Sequence, residues 1–143
     1  MESDNEFQES GEEHNVELTK EFINNEDCHI CTMLELLTLM KADEQKGIKD
    51  NEIVKVTKEY LNTFNRYNLS SSPNITEIPY KIKRDLNLNS KNKFSKLEVA
   101  QLMDLAPTTS EEAFRLIPSL KKKFKAEEMD EYLVIINREI VNN

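Results

Sequence analysis

The sequence predicts an all-α protein: a helical hairpin followed by a small domain of short helices, with one amino-terminal strand expected to pair with a partner chain. Three observations carry this. From residue 33 onward the apolar residues recur at spacings of three and four. Three helix-start signals of the form hydroxyl-x-x-Glu stand at Thr32/Glu35, Ser95/Glu98 and Thr109/Glu112. Only one short stretch, residues 27–32, alternates as a strand does.

That stretch is "DCHICT", in which Cys28, Ile30 and Thr32 alternate with His29 and Cys31. A lone strand leaves its backbone unpaired, and this chain offers no second strand to complete it. The first helix starts at Met33 behind the Thr32/Glu35 box, carries Leu34, Leu37 and Met40 or Lys41, and stops near Gly47. Asp50 is placed to cap a second helix, whose stripe Ile53, Val56 or Thr57, Tyr60, Phe64, Tyr67 is the longest apolar face in the chain. The polar run "NLSSSPN", residues 68–74, reads as a loop.

Thr76 then opens a third helix with Ile78, Ile82, Asp85 and Leu86, where Pro79 is tolerated because a first turn has no donor to lose. The Ser95/Glu98 box begins a fourth helix with Leu97, Ala100, Leu102 and Met103, closed by Pro107. The Thr109/Glu112 box begins a fifth, which Pro118 ends within about nine residues. A helix that short depends on its caps and on burying Ala113, Phe114 and Ile117. The last helix, about 126–141, shows Met129, Tyr132, Leu133, Ile136 and Ile140 on one face, with Phe124 just ahead of it.

At 143 residues the chain can bury one modest core. Its net charge of -8 is unevenly spread. Residues 1–27 hold ten acids and one base, a balance of -9, and the remaining 17 acids and 18 bases give +1. So polar a segment cannot offset the entropy of ordering, and disorder is expected over residues 1 to about 14. No apolar run approaches the ~20 residues a bilayer crossing needs, and the acidic start is unlike a signal peptide, so a soluble intracellular protein with no membrane role is expected. Asn68-Leu-Ser and Asn74-Ile-Thr are then chance matches to the glycosylation pattern.

Catalysis lacks material. Both histidines precede residue 30 and there are two glycines, so neither a nucleophilic triad nor a phosphate-cradling loop can be assembled. Cys28-His29-Ile30-Cys31 has the spacing to grip one side of a zinc ion, with His29 or His14 as a further ligand, but no second pair completes a site. Small, partly buried strand residues are the favoured reading, and no metal or cofactor is expected. Lys81, Lys83, Arg84, Lys91, Lys93 and Lys96 form one basic cluster and Lys121, Lys122, Lys123 and Lys125 another. They are suited to phosphates, yet a solvated helix face looks the same.

"KLEVAQLMDLAPTTSEEAFRLIPSL", residues 96–120, with the following "KFKAEEMDEYL", resembles the carboxyl-terminal domain of the fourth subunit of eukaryotic RNA polymerase II. "YLNTFNRY", residues 60–67, is similar to the stretch that precedes it in that family, and the resemblance runs from about Glu26 to Leu133. The stretch 68–94 is longer than the family's usual connection, and Lys125-Ala126 stands where an acidic or hydroxyl cap is common.

The resemblance implies a non-catalytic subunit in three parts: an acidic tail (1–25), a partner-binding strand and hairpin (26–68) and an HRDC-like helical domain (74–143). It implies a nuclear protein that pairs with the seventh subunit as a stalk on the core polymerase, supports initiation, and contacts factors near the RNA exit path. Its own RNA contact would be auxiliary. The partner-binding candidates are Cys28, Ile30, Leu34, Leu37, Tyr60, Phe64 and Tyr67: strand residues for addition to the partner's sheet, and a stripe to pack between the chains. The competing readings are a free-standing HRDC-like nucleic-acid-binding module and the equivalent stalk subunit of RNA polymerase III or of an archaeal enzyme. The wording "SEEAFRLIPSL" favours polymerase II, and the acidic tail suits a eukaryotic subunit better than an archaeal one.

Overall fold

The computed structural model describes residues 29–71 and 74–141. Within them lie six α-helices, α1 (Met33–Gln45), α2 (Glu52–Phe64), α3 (Glu77–Asn89), α4 (Lys96–Leu105), α5 (Ser110–Leu116) and α6 (Ala126–Asn137), with 3-10 turns at Leu69–Ser71 and Pro118–Lys122. The all-α class is as the periodicity predicts. Asp27 and Cys28 lie outside the described residues, and residues 29–32 carry no regular structure.

Local signals set most starts. Thr32 Oγ1 accepts from the Glu35 N–H at 3.1 Å while Glu35 Oε1 accepts from Thr32 N–H at 3.1 Å, so two orphan donors of α1 are satisfied reciprocally. Ser95 and Glu98 repeat the arrangement for α4, at 3.1 and 2.8 Å. After α1 the chain turns through Gly47 at φ 77°, a left-handed angle that favours glycine.

The Asp50 cap expected for α2 is not formed, and the other helix starts differ in detail from their local signals. Asn51 caps α2, its Oδ1 accepting from Val54 N–H at 2.9 Å. Asp50, expected there, instead pairs with Lys58 at 2.6 Å, and Lys58 also reaches Glu44 at 2.6 Å. Thr76 has helical backbone angles and makes no side-chain cap. It is held by Asn74 Oδ1, which accepts from its N–H at 3.1 Å and its hydroxyl at 2.6 Å. The third box is half made: Thr109 Oγ1 accepts from Glu112 N–H at 3.1 Å, but the Glu112 carboxylate turns to the Thr108 N–H and hydroxyl at 3.1 and 3.2 Å. Pro118 does more than stop α5, because it opens the 3-10 turn that follows. Ala113 and Ile117 are buried, whereas Phe114 is half-buried at the edge of the core.

The second helix ends at Phe64 and not at Tyr67. Asn65 is extended, its Oδ1 accepts from Tyr67 N–H at 3.1 Å and its Nδ2 donates to Tyr67 O at 3.0 Å, so an asparagine turn replaces the next helical turn. Tyr67 then forms an antiparallel bridge with Ile140. Asn68 N–H donates to Glu139 O at 2.8 Å and Val141 N–H to Arg66 O at 3.0 Å. That bridge is why α6 stops at Asn137 rather than running to 141.

The same linker closes the end of α4. Helical bonding would send the Met103 carbonyl to the N–H of residue 107, which is proline and has none. The buried Tyr67 hydroxyl donates to that carbonyl instead, and Arg66 Nη1 donates to Leu105 O at 3.1 Å. The core gathers Ile82 and Leu86 of α3, Leu102 and Met103 of α4, Ile117, Leu120, and Met129, Leu133 and Ile136 of α6, and it takes in Leu34 of α1 and Tyr67. Met33 N–H donates to Asp104 Oδ1 at 2.9 Å and Lys83 pairs with Glu35 at 2.6 Å, fixing α1 to α4 and α3. Among the described residues no buried side-chain nitrogen or oxygen lacks a partner.

Candidate functional site

The α2 helix buries the wrong face for its amphipathicity. At ~100° per residue, Ile53, Thr57, Tyr60 and Phe64 share one side, while Val54, Lys58 and Leu61 lie about 100° round from it. The second side is turned inward, with Lys58 and Leu61 buried. The apolar stripe is left in solvent: Ile53 is 78% exposed, Val56 59%, Tyr60 55% and Phe64 57%. Its two rings pack on each other with centroids 4.7 Å apart. Leu39 of α1 and Ile48 of the turn add further exposed apolar surface to the hairpin.

The stripe leads into a cleft between α1, the end of α2 and α4, lined by Leu34, Leu37, Leu61, Phe64, Tyr67 and Met103. Four of the candidates read from the sequence, Leu34, Leu37, Phe64 and Tyr67, therefore meet around one depression, and Tyr60 adjoins it through Phe64. Their roles differ. Leu34, Leu37 and Tyr67 are buried, and only Tyr60 and Phe64 present large exposed surface. Burial, with the nearby Asp104 carboxylate, pushes the Tyr67 phenol far above its ordinary range, so it remains a neutral donor to Met103. Burial likewise raises Asp104, only partly offset by the Met33 N–H. The cleft is mostly apolar, with Asp104, Arg66 and Asn65 also in its lining.

Ile30 lies elsewhere, with His29, Glu35, Lys83, Asn87, Phe94 and Lys96 around a second cleft of about 320 Å³. Cys28 and His14 fall outside the described residues. Cys31 is free and exposed; burial of its sulfur and the Glu35 carboxylate raise its pKa, which disfavours a reactive thiolate. Among the described residues no three His, Cys, Asp or Glu side chains group as metal ligands. No helix there is long and apolar enough to cross a membrane.

The two basic clusters behave unlike their sequence order. Lys81, Lys83 and Arg84 are engaged by Glu139, Glu35 and Asp85 at 3.0, 2.6 and 3.2 Å. The segment that carries Lys91, Lys93 and Lys96 instead meets the one that carries Lys121, Lys122 and Lys125, through Phe94 and Phe124, whose ring centroids lie 4.6 Å apart, and through Lys123 Nζ, which donates to Lys93 O at 3.2 Å. Neither the cap that Arg66 and Tyr67 give α4 nor this meeting of segments has a local sequence signal; the isolated Pro107 is the one clue to the former.

The sequence model of the RNA polymerase Rpb4 family matches residues 2–138 of the chain. No curated protein matches it.

Proposed function

Since this chain belongs to the RNA polymerase Rpb4 family, and is thus an accessory, non-catalytic stalk subunit associated with the polymerase core, we propose that it is the fourth subunit of RNA polymerase II and pairs with the seventh. The observation that supports this is the solvent-facing stripe Ile53, Val56, Tyr60, Phe64, continuous with the apolar cleft at Leu34 and Leu37. An aromatic pair beside a preformed apolar depression is the composition of a hot spot. A contiguous apolar surface of this kind is costly to leave in water.

In this reading residues 26–68 are the partner-binding part, with Cys28 and Ile30 joining the partner's sheet by strand addition and the α2 stripe packing between the chains. Residues 74–143 form the HRDC-like domain, and residues 1–25 remain an acidic tail. The heterodimer works in the nucleus, supporting initiation and contacts near the RNA exit path, with RNA held chiefly by the partner. The wording "SEEAFRLIPSL" favours polymerase II over polymerase III. A free-standing HRDC-like module would use the lysines as its working surface and leave the stripe uncovered.

Co-expression with seventh-subunit homologues of polymerase II and of polymerase III tests the proposal. A one-to-one complex with the first and not the second is expected. Tyr60→Asp with Phe64→Asp should weaken it at least about 30-fold, the equivalent of ~2 kcal/mol for a single hot-spot residue, while leaving the helical content unchanged because both rings are exposed. Undiminished pairing by that variant would place the interface elsewhere.

A further inference from the structure

An amphipathic helix ordinarily turns its apolar face to the protein and its charged residues to water. In α2 the stripe Ile53, Val56, Tyr60 and Phe64 is exposed, and Lys58 is buried. Among the described residues it is the one buried lysine. Its Nζ donates to Glu44 Oε1 at the end of α1 and to Asp50 Oδ2 in the turn, both at 2.6 Å. The ammonium thus ties α2 to the helix before it and to the connection between them.

The stripe and Lys58 exclude each other from the inward side. Lys58 lies about 140° round the helix from Ile53. A turn of α2 about its axis by roughly 100° would lay Ile53, Tyr60 and Phe64 against α1, in exchange for Leu61, and would carry Lys58 into solvent. Three large apolar side chains for one favours that turn on burial alone. Against it stand the two ion pairs, both of which the turn would break. A buried charge adds little to stability once its desolvation is counted, and its best-attested use is to select one packing over another. We propose that Lys58, clasped by Glu44 and Asp50, fixes the rotation of α2 and so holds the apolar stripe toward solvent. What the stripe is held out for rests on the pairing proposed above; that Lys58 holds it out does not.

Nitration of the full chain by tetranitromethane, read by peptide mass spectrometry, tests this without a partner. Tyr60 and Tyr80 are exposed and should react, whereas Tyr67 and Tyr132 are buried and should not; Tyr80 on α3 is the internal standard. Lys58→Glu sets a third carboxylate beside Glu44 and Asp50. It should lower the ratio of Tyr60 to Tyr80 nitration about tenfold, as when roughly nine chains in ten have turned, with Tyr67 still protected. Lys58→Arg, which keeps both pairs, should leave the ratio unchanged, and adding Glu44→Lys and Asp50→Lys to Lys58→Glu should restore it. A Tyr60 that stays as reactive in Lys58→Glu as in the wild type overturns the proposal, whether the hairpin keeps its place or comes loose. So does a loss that the exchanged charges fail to reverse. With a seventh-subunit homologue present, Lys58→Glu should weaken the complex in step with the lost Tyr60 reactivity. The expected nitration ratios with no complex formed by any variant, wild type included, would sink the pairing and bear out the role of Lys58.

Discussion

Glu98 joins three elements through one buried carboxylate, and replacing it separates the energies involved. Its Oε1 accepts from Ser95 N–H at 2.8 Å and from Lys123 Nζ at 2.6 Å, and its Oε2 accepts from the Ser119 hydroxyl at 2.6 Å. The residue is 3% exposed, so it cannot recover these bonds from water. Burial alone would raise its pKa, but Lys123, Ser119 and Ser95 together outweigh it and hold the carboxyl below the usual range. Glu98→Ala removes all three hydrogen bonds and should cost about 3 kcal/mol, the low end for breaking a buried pair, because Lys123 is partly exposed and can turn to solvent. Glu98→Gln keeps the acceptor for Ser95 and loses the charge, for about 1 kcal/mol. For a domain of this size these correspond to drops of roughly 12 and 4 °C or more in Tm, read by circular dichroism of the full chain. The pH dependence adds a sign. A depressed carboxylate stabilises the fold above its unfolded pKa of about 4.3 and loses that contribution as pH falls through the lower folded value. The gap between wild type and Glu98→Gln should therefore narrow as pH falls below the unfolded carboxylate value. A Gln variant as unstable as the Ala variant, or a gap independent of pH, would refute the ion-pair reasoning.

Thr109→Ala should cost about 1 kcal/mol, measured by urea unfolding, whereas Thr108→Ala should cost less because its backbone N–H still reaches Glu112. Tyr67→Phe strips the Met103 carbonyl of the donor that stands in for Pro107, and an equilibrium loss of about 1–2 kcal/mol is expected. Lys91→Gly relieves a non-glycine residue at φ 55° on an exposed loop, so a gain of about 0.5–1 kcal/mol should appear as a raised Tm.

What the sequence discloses about this fold divides along the range of the interactions. The boxes at Thr32/Glu35 and Ser95/Glu98 are complete within four residues, and both form as read. Asp50, Glu112 and Tyr67 went elsewhere for a common reason: a partner outside the window competes, namely Lys58 from the next helix, Thr108 from the preceding loop, and Ile140 and Met103 from distant segments. The α2 periodicity carried smoothly across Asn65-Arg66 and hid a helix end that the Asn65 side chain enforces. The stripe itself was legible because amphipathicity is a property of one helix. That it is left uncovered by this chain came from the resemblance, which sets it between two chains, and not from periodicity, since the face a helix buries is decided by what Lys58 and Leu61 find to pack against.

The bridge between residues 66–68 and 139–141 has a consequence for how the molecule comes into being. Several supports of the hairpin, such as Met33 on Asp104 and the Tyr67 hydroxyl on Met103, use residues made by the time α4 has been translated. The Asn68–Glu139 and Val141–Arg66 bonds cannot form until residues synthesised after all of these have left the ribosome. The linker that aims α2 and caps α4 is therefore held first by the Arg66 and Tyr67 bonds to α4 and fastened on its other side only when residues 139–141 are available. Nascent chains stalled before residue 139 should therefore present the α2 stripe with this one constraint missing.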